Sequence, residues 1–212
     1  MVKKTIILII ILFLITLSSC FRIKNKKEFY KEVIVDDTFK TEGFYYRFQI
    51  DEHNLYVFPI VFTVDGYFKQ NIFINANQEK VNGINYESHC KLNSNNKDLK
   101  ELGLKKASCF LLNYDLFNTS RIGSINKNVE AYEWGRYSIN NKKIHIRYFE
   151  LSTRSDLYLI ELSGLIEENR LILNHKYNFS TEKHENIELI YYFEPLDSLN
   201  INIPSTIKKM RF

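Results

Sequence analysis

Glycine and proline are scarce in this sequence, with seven and three residues respectively in a chain of 212. Glycine-rich loops that bind phosphate groups and proline-rich recognition segments are therefore nearly excluded. A strong excess of one charge is also missing, because 29 lysine and arginine residues face 25 aspartate and glutamate residues. A nucleic-acid-binding protein would show a concentrated basic surface, so the sequence predicts no nucleic-acid partner.

Recognisable catalytic motifs are missing as well. The sequence has no G-x-S-x-G or H-E-x-x-H motif and no nucleotide-binding loop. Its five histidines are scattered: His53, His89, His145, His175 and His184. His145, Arg147 and Glu150 could form a polar patch, but no nucleophile with a partnered base accompanies them. We therefore predict a protein without enzymatic activity, cofactor or metal, and only a site assembled from distant residues would change this interpretation.

The N-terminal segment, MVKKTIILIIILFLITLSSC, has the layout of a secretory signal peptide. Lys3 and Lys4 precede an unbroken apolar run over residues 6–15, and small polar residues follow. A membrane-spanning helix needs roughly 20 apolar residues, so a permanent transmembrane helix is the weaker interpretation.

The end of this segment, Leu17-Ser18-Ser19-Cys20, resembles the lipobox of bacterial lipoproteins. In that family the chain is cut before the cysteine, whose thiol carries a diacylglycerol. The resemblance implies that residues 1–19 are a lipoprotein signal peptide and that Cys20 is lipidated. Two or more acyl chains anchor a protein stably, so the membrane is an expected partner. Phe21 rather than an aspartate follows, which by the same resemblance favours the outer membrane and leaves its face open.

Residues 20–40 are predicted to form a lipidated N-terminal tether. Their first half is basic, with Arg22, Lys24, Lys26 and Lys27 close together. The charges would keep a solvated tether extended. Attraction to anionic lipid headgroups, about 1 kcal/mol per charge, is the secondary interpretation.

Residues 41–200 are predicted to form an all-β domain, with a C-terminal tail at 201–212. Alternating apolar and polar residues predict eight strands, at 41–50, 55–64, 67–74, 134–139, 143–149, 157–166, 170–179 and 187–194. Asp65-Gly66 predicts a tight hairpin, and Pro59 predicts a sheet edge or a bulge. Consecutive antiparallel strands favour an up-and-down barrel, and a two-sheet sandwich is the main alternative.

A polar insertion at 75–128 separates the third and fourth predicted strands. Leu99 and Leu102 predict a short helix that Asn96 would cap and Gly103 would end. A second helical turn is predicted near residues 114–120. The insertion could be a lid over one end of the barrel, but a decorated loop is the preferred interpretation.

Cys90 and Cys109, both in the insertion, are left over if Cys20 is lipidated. In an exported protein such cysteines tend to pair, and the bridge would contribute about 3 kcal/mol. Two unpaired structural cysteines remain an alternative. A metal or thiol site with His89 is less favoured, because it lacks the close paired spacing of zinc ligands.

The order of features resembles small lipid-anchored proteins of Bacteroidetes-type bacteria, many of which have lipocalin-like barrels. Residues 42–46 (EGFYY), 134–137 (WGRY) and 193–200 (FEPLDSLN) carry this resemblance. It implies a barrel in the bacterial cell envelope and, more loosely, a binding role. The 14 tyrosines and 16 phenylalanines could fill the barrel or line a cavity for an apolar or amphipathic ligand. The alternative function is a non-catalytic interaction lipoprotein that supports an envelope assembly through a protein partner.

Overall fold

The computed structural model describes residues 25–31, 34, 36, 39–70, 72–92, 98–118, 133–151, 157–197, 199, 201 and 203. The predicted signal peptide, Cys20 and Asn96 lie outside the described residues. Most of the predicted C-terminal tail and residues 119–128 of the predicted insertion lie outside them too.

The described part of the chain contains eleven strands and four helices. The strands are β1 (Gly43–Asp51), β2 (Asn54–Phe62), β3 (Tyr67–Lys69), β4 (Ile74–Asn75), β5 (Lys80–Val81), β6 (Ile84–Asn85), β7 (Trp134–Asn140), β8 (Lys143–Leu151), β9 (Leu157–Glu167), β10 (Arg170–Asn178) and β11 (Lys183–Pro195). The helices are α1 (Lys26–Phe29), α2 (Tyr86–Cys90), α3 (Leu99–Leu112) and α4 (Tyr114–Asn118). The second predicted helical turn is confirmed by α4.

Eight antiparallel strands close into an up-and-down barrel in the order β1, β2, β3, β7, β8, β9, β10 and β11. The barrel closes at β1, where Tyr45 pairs with Ile60 of β2 on one side and with Phe193 of β11 on the other. The predicted barrel is confirmed, and the two-sheet sandwich is wrong. The predicted insertion is confirmed between β3 and β7, where β4 to β6 and α2 to α4 lie.

The barrel wall is interrupted beside Pro59. On its far side from β1, strand β2 pairs with β3 through residues 61–62 and with β4 through residues 56–57. Among the described residues, no strand pairs with residues 58–60 on that side. The predicted edge at Pro59 is confirmed, because a proline has no N–H to donate to a neighbouring strand.

One end of the barrel interior is filled by aromatic rings. We call this the closed end; β1 begins there and β2 ends there, and the opposite end is the mouth. Neighbouring ring centroids lie 4.9 to 5.7 Å apart in a cluster of Phe39, Tyr45, Phe62, Phe68 and Tyr137. The Tyr137 hydroxyl donates a hydrogen bond to the carbonyl oxygen of Thr63 at 2.6 Å. Phe39 precedes β1, so the chain before the first strand supplies one of the rings that fill the closed end.

A second hydrophobic core lies outside the barrel, between β2, β4 and the helices of the insertion. Phe44, Val57 and Ile74 of the strands are buried there with Leu111 and Phe117 of α3 and α4. This packing explains why β1 and β2 carry apolar residues on both faces, since one face lines the barrel and the other meets the insertion.

The predicted end of the first insertion helix is wrong. Helix α3 begins after Asp98, whose side chain accepts the N–H groups of Lys100 and Glu101, and it continues through Gly103. A Cβ at Gly103 would lie 2.9 Å from Cγ2 of Val57, so the glycine lets α3 approach β2 closely. Gly103 therefore serves packing and does not end the helix.

The described residues of the segment 20–40 pack against the barrel. Phe29 of α1 is buried outside the barrel at the mouth end, with its ring centroid 4.8 Å from that of Phe149. The carbonyl oxygen of Glu28 accepts a hydrogen bond from Arg147 at 3.0 Å. Phe39 lies at the closed end, and the carbonyl oxygen of Ile34 accepts a hydrogen bond from the N–H of Ile139 in β7 at 2.7 Å.

Among the described residues, no helix has both the length and the apolar character that crossing a membrane would require.

Candidate functional site: the barrel cavity

The mouth half of the barrel encloses a cavity of about 590 Å³. Apolar residues, about equally aliphatic and aromatic, form most of its wall, and the aliphatic ones on the strands are Ile60, Ile146, Leu162, Leu173 and Leu189. They point inward because successive side chains of a strand alternate between the two faces of the wall. The cavity lies beside the aromatic cluster of the closed end, and Phe68 belongs to both. The volume falls within the range of about 300–1,000 Å³ typical of small-molecule sites.

Two carboxylates line the cavity, and a lysine pairs with each of them. Glu150 accepts a hydrogen bond from Nζ of Lys176 at 3.2 Å. Glu133 forms an ion pair with the buried Lys69. The rings of Trp134 and Tyr114 also lie 5.2 and 5.0 Å from the Lys69 ammonium. These pairs balance the negative charge of the cavity wall.

Arg47 is the third charged residue in the wall, and its partners are neutral. Its Nε donates to the hydroxyl of Tyr191 at 3.3 Å, and Nη1 donates to Oε1 of Gln49 at 3.2 Å. The guanidinium carbon lies 4.3 Å from the ring centroid of Phe58. Burial raises the pKa of Tyr191, and the positive charge of Arg47 opposes this shift. Within the described ranges, no carboxylate lies within salt-bridge distance of Arg47.

A short segment between β3 and β4 separates this cavity from a second one. The second cavity, of about 190 Å³, lies between the barrel wall and the insertion and reaches Phe110 and Phe117. Gln70, Ile72 and Phe73 line both cavities. Phe73 is 58% exposed, so a large apolar side chain stands at the surface beside the cavity.

The predicted polar patch of His145, Arg147 and Glu150 does not form as expected. His145 and Arg147 lie on the outer wall and share Glu161, whose carboxylate oxygens are 3.1 Å from Nδ1 of His145 and 2.6 Å from Nε of Arg147. Glu150 faces the cavity and is not part of this group. The expected partner was wrong because residues 145 and 150 are separated by an odd number and so lie on opposite faces of β8.

The other histidines are distributed over the surface and the insertion. His175 and His184 contact each other on the β10–β11 hairpin, with 3.1 Å between Nε2 and Nδ1. The His89 ring packs edge-on against Phe117, and the carbonyl oxygen of His53 accepts a hydrogen bond from Asn77. No histidine is among the described residues that line the barrel cavity.

Cys90 and Cys109 form a disulfide, with their Cα atoms 6.0 Å apart. The bridge joins the end of α2 to the last turn of α3. His89 lies beside Cys90 in sequence but contacts Phe117. The paired sulfurs therefore belong to the packing of the insertion.

A buried lysine fixes α3 to the segment that follows β4. Nζ of Lys106 on α3 donates to the carbonyl oxygens of Ala76 and Gln78 at 2.6 and 2.8 Å. Burial lowers its pKa, and the negative charge of Glu79 opposes this shift. These contacts satisfy two carbonyl groups after β4, so we assign Lys106 a structural role.

Sequence analysis missed Arg47, although a signal for it was present. In the first predicted strand Arg47 lies two residues after Tyr45, which faces the barrel interior. An arginine at an inward-facing position of a barrel strand is unusual, because burying a charge costs free energy unless it is paired.

In the part of the chain that the structure describes, no group of three or more histidine, cysteine, aspartate or glutamate residues is placed to hold a metal ion. A comparison of the chain with known protein families, curated proteins and solved structures found no match.

Proposed function

We propose that this protein is a lipid-anchored component of the bacterial cell envelope that binds a small apolar or amphipathic molecule in its barrel cavity. The observation that carries the proposal is the cavity of about 590 Å³ in the mouth half of the barrel. Its wall is mainly apolar, and a few polar groups stand among the apolar ones, as in ligand sites generally. We propose a binding role without catalysis.

Blocking the cavity should abolish binding. The double variant Leu162→Phe/Leu189→Trp places two larger rings in the cavity wall, so we expect at least tenfold weaker binding of the neutral fluorescent probe N-phenylnaphthylamine. Leu165→Trp is the matched control, because Leu165 lies on the outer face of β9 and is 44% exposed. Equal probe binding by both variants would contradict the proposal, provided that both keep the circular dichroism spectrum of the unchanged protein.

Native mass spectrometry of the protein purified from its envelope tests for a natural ligand. We expect a reproducible added mass that disappears after extraction with organic solvent. A clean unliganded mass together with failure to bind the probe would favour the alternative, a lipoprotein that acts through a protein partner. Crosslinking in intact envelopes would then identify that partner.

Cys20→Ser should abolish lipidation. The thiol of Cys20 is the expected acceptor, so a protein expressed with its own signal peptide should incorporate labelled palmitate and partition into detergent only when Cys20 is present. The control is Cys90→Ala/Cys109→Ala, which removes the other two cysteines and should leave the label unchanged. Label retained in Cys20→Ser would refute Cys20 as the acceptor, and no label in the unchanged protein would refute the lipid anchor. Neither result affects the ligand proposal.

A further inference from the structure

The charges of the barrel cavity are not balanced, and the excess is positive. Glu133 is paired with Lys69, and Glu150 is paired with Lys176. Arg47 has only the Tyr191 hydroxyl, the Gln49 amide oxygen and aromatic rings around it. Among the described residues that line the cavity, Arg47 is therefore the one charged group without an opposite charge.

The guanidinium group of Arg47 also has donors to spare. Its two hydrogen bonds use Nε and Nη1, and Nη2 makes none with the described residues. Both bonds go to neutral oxygens, and the one to Tyr191 is long at 3.3 Å. A charged group that is partly removed from water is stabilised most by an oppositely charged partner, and a carboxylate matches the planar donors of arginine.

The position of Arg47 suits an anionic headgroup with a single chain. Arg47 lies on β1, between Tyr45 at the closed end and the exposed Gln49 at the mouth. The aliphatic wall formed by Ile146, Leu162 and Leu173 belongs to β8, β9 and β10, which lie across the barrel from β1. A headgroup at Arg47 would therefore leave an attached chain facing apolar side chains.

We propose that the cavity selects amphipathic molecules with a carboxylate headgroup and an aliphatic chain, and that Arg47 binds the carboxylate. This inference rests on the proposed function, because it requires that the cavity takes a ligand at all. Phe58 and Tyr191 hold the guanidinium in place from both sides, and the lysine pairs keep Glu133 and Glu150 from repelling the anion.

Three ligands with the same chain and different headgroups test the selection. Dodecanoate, dodecanol and dodecylammonium compete with bound N-phenylnaphthylamine at about pH 8, where the carboxylate is ionised. We expect dodecanoate to compete about tenfold better than dodecanol, as a charge-assisted hydrogen bond predicts. We expect dodecylammonium to compete least well.

Variants at Arg47 identify the group responsible. Arg47→Met keeps much of the side-chain volume and removes the charge, so dodecanoate should lose its tenfold advantage while dodecanol competes as before. Arg47→Lys keeps the charge and should restore part of the advantage. Arg147→Met is the matched control, since Arg147 lies on the outer wall with Glu161 and should leave the preference unchanged.

The outcomes separate this inference from the proposed function. If dodecanoate and dodecanol compete equally, or if Arg47→Met weakens both alike, the carboxylate selection is refuted and the cavity function stands. If neither the probe nor any of the three ligands binds the unchanged protein, the proposed function itself fails. A denaturation curve of each variant shows whether Arg47 also supports the fold.

Discussion

Raising the pH above 10 should lower the free energy of unfolding steeply, by about 2–4 kcal/mol per pH unit. Burial raises the pKa values of Tyr45, Tyr86 and Tyr137 above their usual value of 10. In the unfolded chain these tyrosines ionise near pH 10, whereas the folded protein keeps their protons. The folded state therefore binds more protons above pH 10, and stability that is fully present below pH 10 is lost as the pH rises.

The magnitude follows from the number of buried hydroxyl groups. Each tyrosine contributes at most about 1.4 kcal/mol per pH unit, so three contribute at most about 4. Solvent screening reduces this limit for groups that are only partly enclosed. Urea unfolding curves measured at intervals between neutral pH and about pH 11 give the slope.

Two single substitutions distinguish hydroxyl groups with different surroundings. Tyr137→Phe removes the hydrogen bond to Thr63 and should cost about 1 kcal/mol near neutral pH. Among the described residues the Tyr86 hydroxyl is buried without a hydrogen-bond partner, so Tyr86→Phe should not lower stability near neutral pH. Either variant should reduce the alkaline slope, by at most about 1.4 kcal/mol per pH unit. An unchanged slope in both variants would mean that other groups cause the alkaline loss.

The barrel strands were predictable because their signals are local. Period-two alternation fixes a strand from its own residues, and Asp65-Gly66 fixes the hairpin between β2 and β3. The predicted start of the last barrel strand was late, because β11 begins at Lys183 with polar residues at the mouth. The third predicted strand, 67–74, was too long, because β3 ends at Lys69 and Ile74 belongs to β4. Strands β5 and β6 were not predicted, since two residues are too few to show a period.

The positions of the two cores could not be predicted from alternation alone. In β1 neighbouring aromatic residues lie on opposite faces, with Tyr45 inside the barrel and Phe44 against the insertion. A pattern with apolar residues on both faces shows that both are covered, but it does not identify which elements cover them. The role of Gly103 has the same origin, because a close approach between α3 and β2 depends on tertiary packing.

The cavity is even harder to predict from the sequence than the two cores. It arises because aromatic rings from β1, β2, β3 and β7 fill the closed end, whereas Ile146, Leu162 and Leu173 line the barrel interior nearer the mouth. That difference becomes visible only when the register of all eight strands is known. The charge imbalance at Arg47 could not be predicted for the same reason. The residues next to Arg47 in sequence do not show that Glu133 and Glu150 already have lysine partners.

Loss of the Cys90–Cys109 disulfide should lower the free energy of unfolding by about 3 kcal/mol. The two cysteines are 19 positions apart, and the bond limits the freedom of this loop in the unfolded chain. The effect should be local at first, because Cys109 is buried in the core between the insertion and β2. Hydrogen exchange should therefore accelerate in α2 and α3 well before it does in β8 to β10.

The control for this prediction is the variant Cys90→Ala/Cys109→Ala. Adding a reductant should lower the urea midpoint of the unchanged protein and leave that of the variant where it is, because the variant has no bridge to reduce. If the midpoint of the unchanged protein stays constant while thiol labelling shows complete reduction, the bond does not stabilise the fold. If exchange instead accelerates equally in the barrel strands, the insertion and the barrel unfold as one cooperative unit, joined where α3 packs on β2 at Gly103.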